Sequence, residues 1–111
     1  MKHFEVKLQP TERTLHIFVG EYNQKEMSKI CGPGIHIESN WQGAYITHEI
    51  GTDIEPIMWI KDPKSNATFI HETVHCVTDI MKITGIKDDE FRAWYTEWLY
   101  NTIQDAKKLS K

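Results

Sequence analysis

The sequence predicts an α+β domain in which a small antiparallel or mixed sheet packs against two long helices. Three observations predict it. Short β-rich or alternating apolar runs fill roughly the first sixty residues, the apolar period becomes helical from Ala67, and turn-forming clusters separate the runs. No repeat, low-complexity tract or long linker divides the 111 residues, so residues 1–111 read as a single domain.

The elements follow in order. Phe4-Glu5-Val6-Lys7-Leu8 alternates apolar and polar residues, as a half-buried strand does. Gln9-Pro10-Thr11-Glu12 reads as a turn, and Leu15-His16-Ile17-Phe18-Val19 as the returning strand of a hairpin that Gly20 breaks. Residues 21–30 form a short helix in this reading, with Tyr22, Met27 and Ile30 on one face, and Gly32-Pro33-Gly34 ends it. Residues 34–42 fit no single element: Ile35-His36-Ile37-Glu38 alternates, and Ser39-Asn40 suggests a turn. Residues 44–50 and 55–61 are rich in β-formers and flank a turn at Gly51-Thr52-Asp53.

Asp62-Pro63-Lys64-Ser65-Asn66 carries helix-start chemistry. Phe69, Ile70, Val74, Val77, Ile80, Met81 and Ile83 then give a broad apolar helical face, closed by Gly85 where a C-terminal glycine belongs. Asp88 is a good N-cap for a last helix from Asp89 to about Lys107. Its buried side would comprise Phe91, Trp94, Tyr95, Trp98, Leu99, Thr102 and Ile103, and its terminal lysines suit the helix dipole. The strands come first and the helices last, which places the helices on one side of the sheet.

Composition removes several functions. Hydrophobic residues are 40% and charged residues 26% of the chain, and the net charge is −3 with neutral histidines. That balance offers neither a nucleic-acid footprint nor a polybasic membrane anchor. Apolar runs such as Ile57-Met58-Trp59-Ile60 are too short for a transmembrane helix. Met1 to Lys7 lacks the apolar core of a secretory signal, so a cytoplasmic location is expected. Cys31 and Cys76 are expected as reduced thiols, a disulfide between them being the alternative. Cys76 adjoins His75 but points about 100° away, as a small buried hydrophobe. The sequence holds no Ser-His-Asp arrangement, Cys-x-x-Cys pair or phosphate-binding glycine loop.

The chemistry concentrates in His71-Glu72-Thr73-Val74-His75. Residues four apart on a helix share a face, so both imidazoles can hold one zinc ion at about 2.0–2.1 Å each. Glu72 is rotated about 100° from His71 and can stand beside the metal without ligating it, as a general base. Such a pattern arises by chance in roughly three shuffled sequences of this composition per hundred. Its context therefore matters: a strong helix with apolar flanks, following a candidate strand. The competing reading is a helix carrying two surface histidines.

A catalytic zinc needs a third protein ligand and an open position. Asp79, a turn beyond His75, suits orienting an imidazole better than ligation, because joining both histidines on one ion would stretch the ligand set along roughly 12 Å of helix. Glu90 and Glu97 on the last helix are both geometrically admissible, depending on how the Gly85–Asp88 link runs. Asp89 points elsewhere if Glu90 points inward. Either glutamate is otherwise a solvated surface residue, and Glu90 also favours the helix N-terminus electrostatically.

His71-Glu72-x-x-His75, Gly85 ten residues later, and Glu90-x-x-Ala93-Trp94 resemble a group of small phage-encoded zincin-like proteins. Those carry His-Glu-x-x-His, a glycine closing the helix, and Glu-x-x-Ala-Tyr opening the next. The resemblance spans about residues 67–100 and implies a gluzincin-like metallopeptidase domain with one zinc per chain, held by His71, His75 and Glu90. Trp94 stands where tyrosine is usual, with Tyr95 following, and the link before Glu90 is short for the group, which keeps Glu97 open. The stretch His71 to Asp79 is also similar to the active-site helix of thermolysin-like peptidases. That likeness implies a mechanism and not a fold.

The expected function is zinc-dependent hydrolysis of an amide bond. Zinc would lower the pKa of a bound water toward neutrality, and Glu72 would take its proton and pass it to the leaving amine. The strand near Ile57–Ile60 would offer its edge to an extended peptide or protein substrate. Tyr95, Tyr45 and His48 are candidates for stabilising an oxyanion, without assignment to the site. The alternative is a zinc-containing phage protein, located in the host cytoplasm, that binds a host or viral partner without catalysis. Trp94 and Trp98, one helical turn apart, would then form an interaction surface in place of a core stripe. A metal site closed by a fourth protein ligand such as Asp79, Cys31 or another histidine would favour this second function.

Overall fold

Period-2 alternation in the first nineteen residues becomes an antiparallel hairpin. In the computed structural model, which describes residues 1–38 and 40–110, β1 (Lys2–Lys7) pairs with β2 (Thr14–Val19), placing Phe4 opposite Ile17 and Glu5 opposite His16. A second hairpin joins β3 (Gly43–Ile50) to β4 (Asp53–Ile60), with Tyr45 opposite Met58. The two hairpins meet through a parallel pairing of β2 with β4, Phe18 beside Trp59, giving a four-stranded mixed sheet in the order β1-β2-β4-β3. The Ser39 half of the expected Ser39-Asn40 turn lies outside the described residues.

The apolar run in β4 has a simple cause. Pro56 to Ile60 are all buried because β4 is internal, with a strand on each side and side chains packed on both faces. This corrects one expectation: the Ile57–Ile60 strand has no free edge to offer a peptide. The open edges belong to β1 and β3.

One face of the sheet, with Phe4, Val6, Ile17, Met58 and Ile60, packs against α2 (Asn66–Thr84) and α3 (Asp89–Leu109). The other face, with Phe18, Ala44, Ile57 and Trp59, is covered by Met27 and Cys31 of α1 (Gln24–Cys31) and by Ile35 and Ile37. The molecule is α+β, but its helices occupy both sides of the sheet. Ile35 and Ile37 are buried while His36 is exposed, so their alternation is real although the segment joins no strand. Cys31 and Cys76 are both free and buried, in the clusters on opposite faces of the sheet.

Local signals set the helix ends. The side chains of Asn23, Ser65 and Asp88 accept from the backbone N–H groups of Glu26, Thr68 and Glu90 respectively. Gly85 closes α2 in the left-handed conformation, φ 74°, and its N–H donates to the Met81 carbonyl. The buried stripes are narrower than the apolar patterns. Ile30, Ile70, Val74, Ile83 and Trp94 are exposed. On α2 the core side is instead Phe69, Thr73, Cys76, Val77 and Ile80. Thr73 is tolerated there because its hydroxyl donates to the Phe69 carbonyl at 2.6 Å. No helix among the described residues is long and apolar enough to cross a membrane.

Candidate metal centre

Helical spacing puts His71 and His75 one turn apart on the solvent-facing side of α2, and both are exposed. Their Nε2 atoms stand 3.3 Å apart, with ring centroids at 4.9 Å and planes at 76°. Glu72, one residue on from His71, turns toward the sheet and is only 6% exposed. One of its carboxylate oxygens lies within 4.8 Å of a nitrogen of each histidine.

The histidine separation carries chemical information. At 3.3 Å the nitrogens stand at the long end of hydrogen-bond contact, one ring donating to the other when no metal is bound. Two nitrogens each about 2.05 Å from one tetrahedral ion stand about 3.3 Å apart. The donor set fits a borderline metal such as zinc, which takes imidazole and carboxylate ligands.

Glu72 is buried because β3 begins with Gly43. A β-carbon there would come to 2.7 Å from the Thr68 methyl, 3.0 Å from the Trp59 carbonyl oxygen and 3.1 Å from Glu72 Oε2. Only glycine lets the strand lie this close to α2. Burial pushes the Glu72 carboxyl above its ordinary pKa, and the nearby His71 and His75 pull it partly back.

Beside these residues runs an open groove of about 700 Å³ between α2 and the free edge of β3. Trp41 stands at its rim, with Tyr45 and Thr47 along the strand side and Thr78 and Asp79 along the helix side. The Tyr45 hydroxyl donates to Asp79 Oδ2 at 2.8 Å, tying strand to helix. Burial is the main reason the Tyr45 hydroxyl is held far above its usual pKa, with Cys76 and Asp79 adding to it. Burial also pushes the Cys76 thiol up to about 12, which makes it an inert core residue.

The structure brings together His71, Glu72 and His75 but not the carboxylates of α3. Among the described residues, Glu90 and Glu97 are absent from the group whose donor atoms converge on the histidines. Both are exposed, as is Asp89. The reason is packing: α3 lies against α2 and β1, and none of its residues lines the groove. Glu90 sits in the first turn of α3, its N–H bonded to Asp88 Oδ1 at 2.8 Å, where a carboxylate suits the helix dipole. Glu97 borders a shallow depression with Trp94, Trp98 and Asp105 on the outer side of α3. The third ligand expected at Glu90 is therefore not at hand in this arrangement.

Of the three oxyanion candidates only Tyr45 reaches the groove. Tyr95 is buried in the core, and His48 rests beside Gly34. The role of Asp79 as partner to Tyr45, and that of Trp41 at the rim, depend on strand-to-helix packing and leave no local signal in the sequence. No protein-family model, curated protein or solved structure matches the chain.

Proposed function

We propose that the chain binds a zinc ion through His71 and His75 and hydrolyses an amide bond with Glu72 as the proton acceptor. The observation that carries this reading is the 3.3 Å separation of the two imidazole nitrogens, with a buried carboxylate alongside and an open groove in front. When bound, zinc supplies Lewis acidity, polarising a carbonyl and making water a stronger acid. Glu72 takes the proton and returns it to the leaving amine. Its position supports that role, with a carboxylate oxygen within 4.8 Å of a nitrogen of each histidine. The free edge of β3 suits an extended peptide, which would bond to the strand's main chain and lie in front of His71 and His75. Among the described residues the donor atoms that converge are those of His71, Glu72 and His75, which supports a ligand set in which the two imidazoles are the chief protein donors.

The test is metal content of purified protein together with peptide turnover. His71→Ala should hold one zinc fewer per chain than the wild type. Glu72→Gln should keep the metal and lose at least about a hundredfold in turnover. Equal zinc in wild type and His71→Ala, or full turnover in Glu72→Gln, overturns the reading.

One observation favours a second reading. Trp41 and Trp94 are large apolar side chains left exposed, which suits a phage protein that binds zinc while engaging a host or viral partner without catalysis. Their indoles would serve such a contact. Zinc binding lost in His71→Ala, with no turnover of any peptide in the wild type, favours this reading over hydrolysis.

A further inference from the structure

We propose a second site for a divalent transition-metal ion on the β1–β2 hairpin, formed by His3 Nε2, Glu5 Oε2 and His16 Nδ1. His3 and Glu5 are two residues apart on β1 and so share a face of the sheet. His16 lies directly opposite Glu5 on β2. The pairing register thus brings His16 onto the face that His3 and Glu5 already share.

The distances let the three donors converge on one ion. His3 Nε2 to His16 Nδ1 is 3.4 Å, His16 Nδ1 to Glu5 Oε2 is 3.5 Å, and His3 Nε2 to Glu5 Oε2 is 3.9 Å. The first is a long hydrogen-bond contact and the other two are ion-pair distances, and all three donor atoms lie within 4.8 Å of one another. An ion about 2.1 Å from all three atoms at these separations would lie in their plane, with the 3.9 Å pair subtending roughly 140°, so the half-exposed Glu5 carboxylate would swing inward to complete a tetrahedral set.

The ligands are also held in position. His16 is 7% exposed, and its Nε2 is buried without a hydrogen-bond partner among the described residues. Nδ1 is therefore the one ring nitrogen with partners, and it faces His3 and Glu5. The His3 ring rests on Phe18 with centroids 4.7 Å apart, and lies within 9° of parallel to the His16 ring. Glu5 is half exposed, which leaves solvent access for the remaining coordination positions. Two imidazoles and a carboxylate suit zinc and its neighbours in the first transition row better than calcium or magnesium.

This site is distinct from the one on α2. It lies at the β1 edge of the sheet, on the face that carries Phe18 and α1, whereas His71 and His75 flank the β3 edge on the other face. An ion here would tie β1 to β2, its neighbour in the sheet.

Zinc chloride is the probe, and the background is the full chain carrying His71→Ala and His75→Ala, two exposed positions. Calorimetric titration of that protein should show one zinc ion per chain, and zinc should raise its Tm. Adding His3→Ala, or separately the conservative Glu5→Gln, should weaken that binding at least tenfold and remove the Tm shift, with circular dichroism unchanged. A folded background protein that takes up no zinc overturns the proposal, as does unchanged affinity in both added variants. In the wild type, Glu5→Gln should cost one ion while turnover and the His71-dependent ion persist. Failure here is therefore separable from failure of the α2 site.

Discussion

Glu72 Oε2 lies 3.1 Å from the point where a β-carbon on Gly43 would stand, so the motif's carboxylate is buried by a strand that only glycine allows so near. Gly43 is not among the positive-φ glycines, so the constraint is contact and not backbone conformation. Gly43→Ala would force its methyl against that of Thr68, 2.7 Å away. Overpacking of this kind costs about 1–3 kcal/mol. The expected result is a Tm lowered by several degrees, read by thermal melts. Thr68→Ser removes the opposing methyl and keeps the hydroxyl that meets Ser65 Oγ at 2.7 Å. Combining the two substitutions should recover part of the loss; no recovery would place the obstruction at Trp59 or Glu72 instead.

The burial of Glu72 also predicts a pH dependence. Its folded-state pKa is raised, chiefly by desolvation. Between its unfolded and folded pKa values the folded chain binds more protons than the unfolded chain, so stability falls as pH rises through that window. Below the unfolded value the penalty vanishes. A glutamine at this position titrates no proton. Metal-free Glu72→Gln should therefore gain stability relative to the wild type as pH increases from about 4 to 7. Denaturant melts in chelator at both pH values provide the check; parallel behaviour of the two proteins would show that the carboxylate is well solvated.

The chain's local chemistry was legible and its long-range packing was not. Ser65, Gly85 and Asp88 mark helix ends through bonds to residues two to four positions away, so spacing alone reveals them. His71, Glu72 and His75 lie on one helix and are local in the same sense. Glu90 is different, because its distance from the histidines depends on which flank of α2 receives α3. The internal position of β4 depends on a parallel pairing with β2 across some forty residues. The cluster of His3, Glu5 and His16 likewise needs the cross-strand register, although the shared face of His3 and Glu5 follows from alternation. The exposure of Trp94, at 61%, shows the same limit: one apolar residue on a helix face is covered only if a neighbour arrives to cover it.

The position of α3 makes a direct claim about its acids. Glu90→Gln and Glu97→Gln should each change zinc affinity at the α2 site by less than about twofold, while His75→Ala should reduce it a hundredfold or more, given that even outer-shell partners are worth 10–100-fold. Competition with a chromogenic chelator measures all three. A tenfold or larger loss in Glu90→Gln would mean that the first turn of α3 swings toward the histidines when metal binds, restoring the ligand set that the sequence resemblance implies.

The Tyr45–Asp79 bond offers a test of how the groove is held open at its width. The phenol of β3 donates to a carboxylate of α2 at 2.8 Å, and hydrogen bonds to charged acceptors contribute about 1.5–3 kcal/mol. Tyr45→Phe should therefore lower stability by about that amount. Neither residue belongs to the converging group of His71, Glu72 and His75, so zinc affinity should change less than about threefold. Asp79→Asn alone should be similarly destabilising, and the double variant should cost less than the sum of the two, because both substitutions break one bond. Strict additivity would show that the pair does not act together and that strand and helix are held at this spacing by the apolar contacts beneath them.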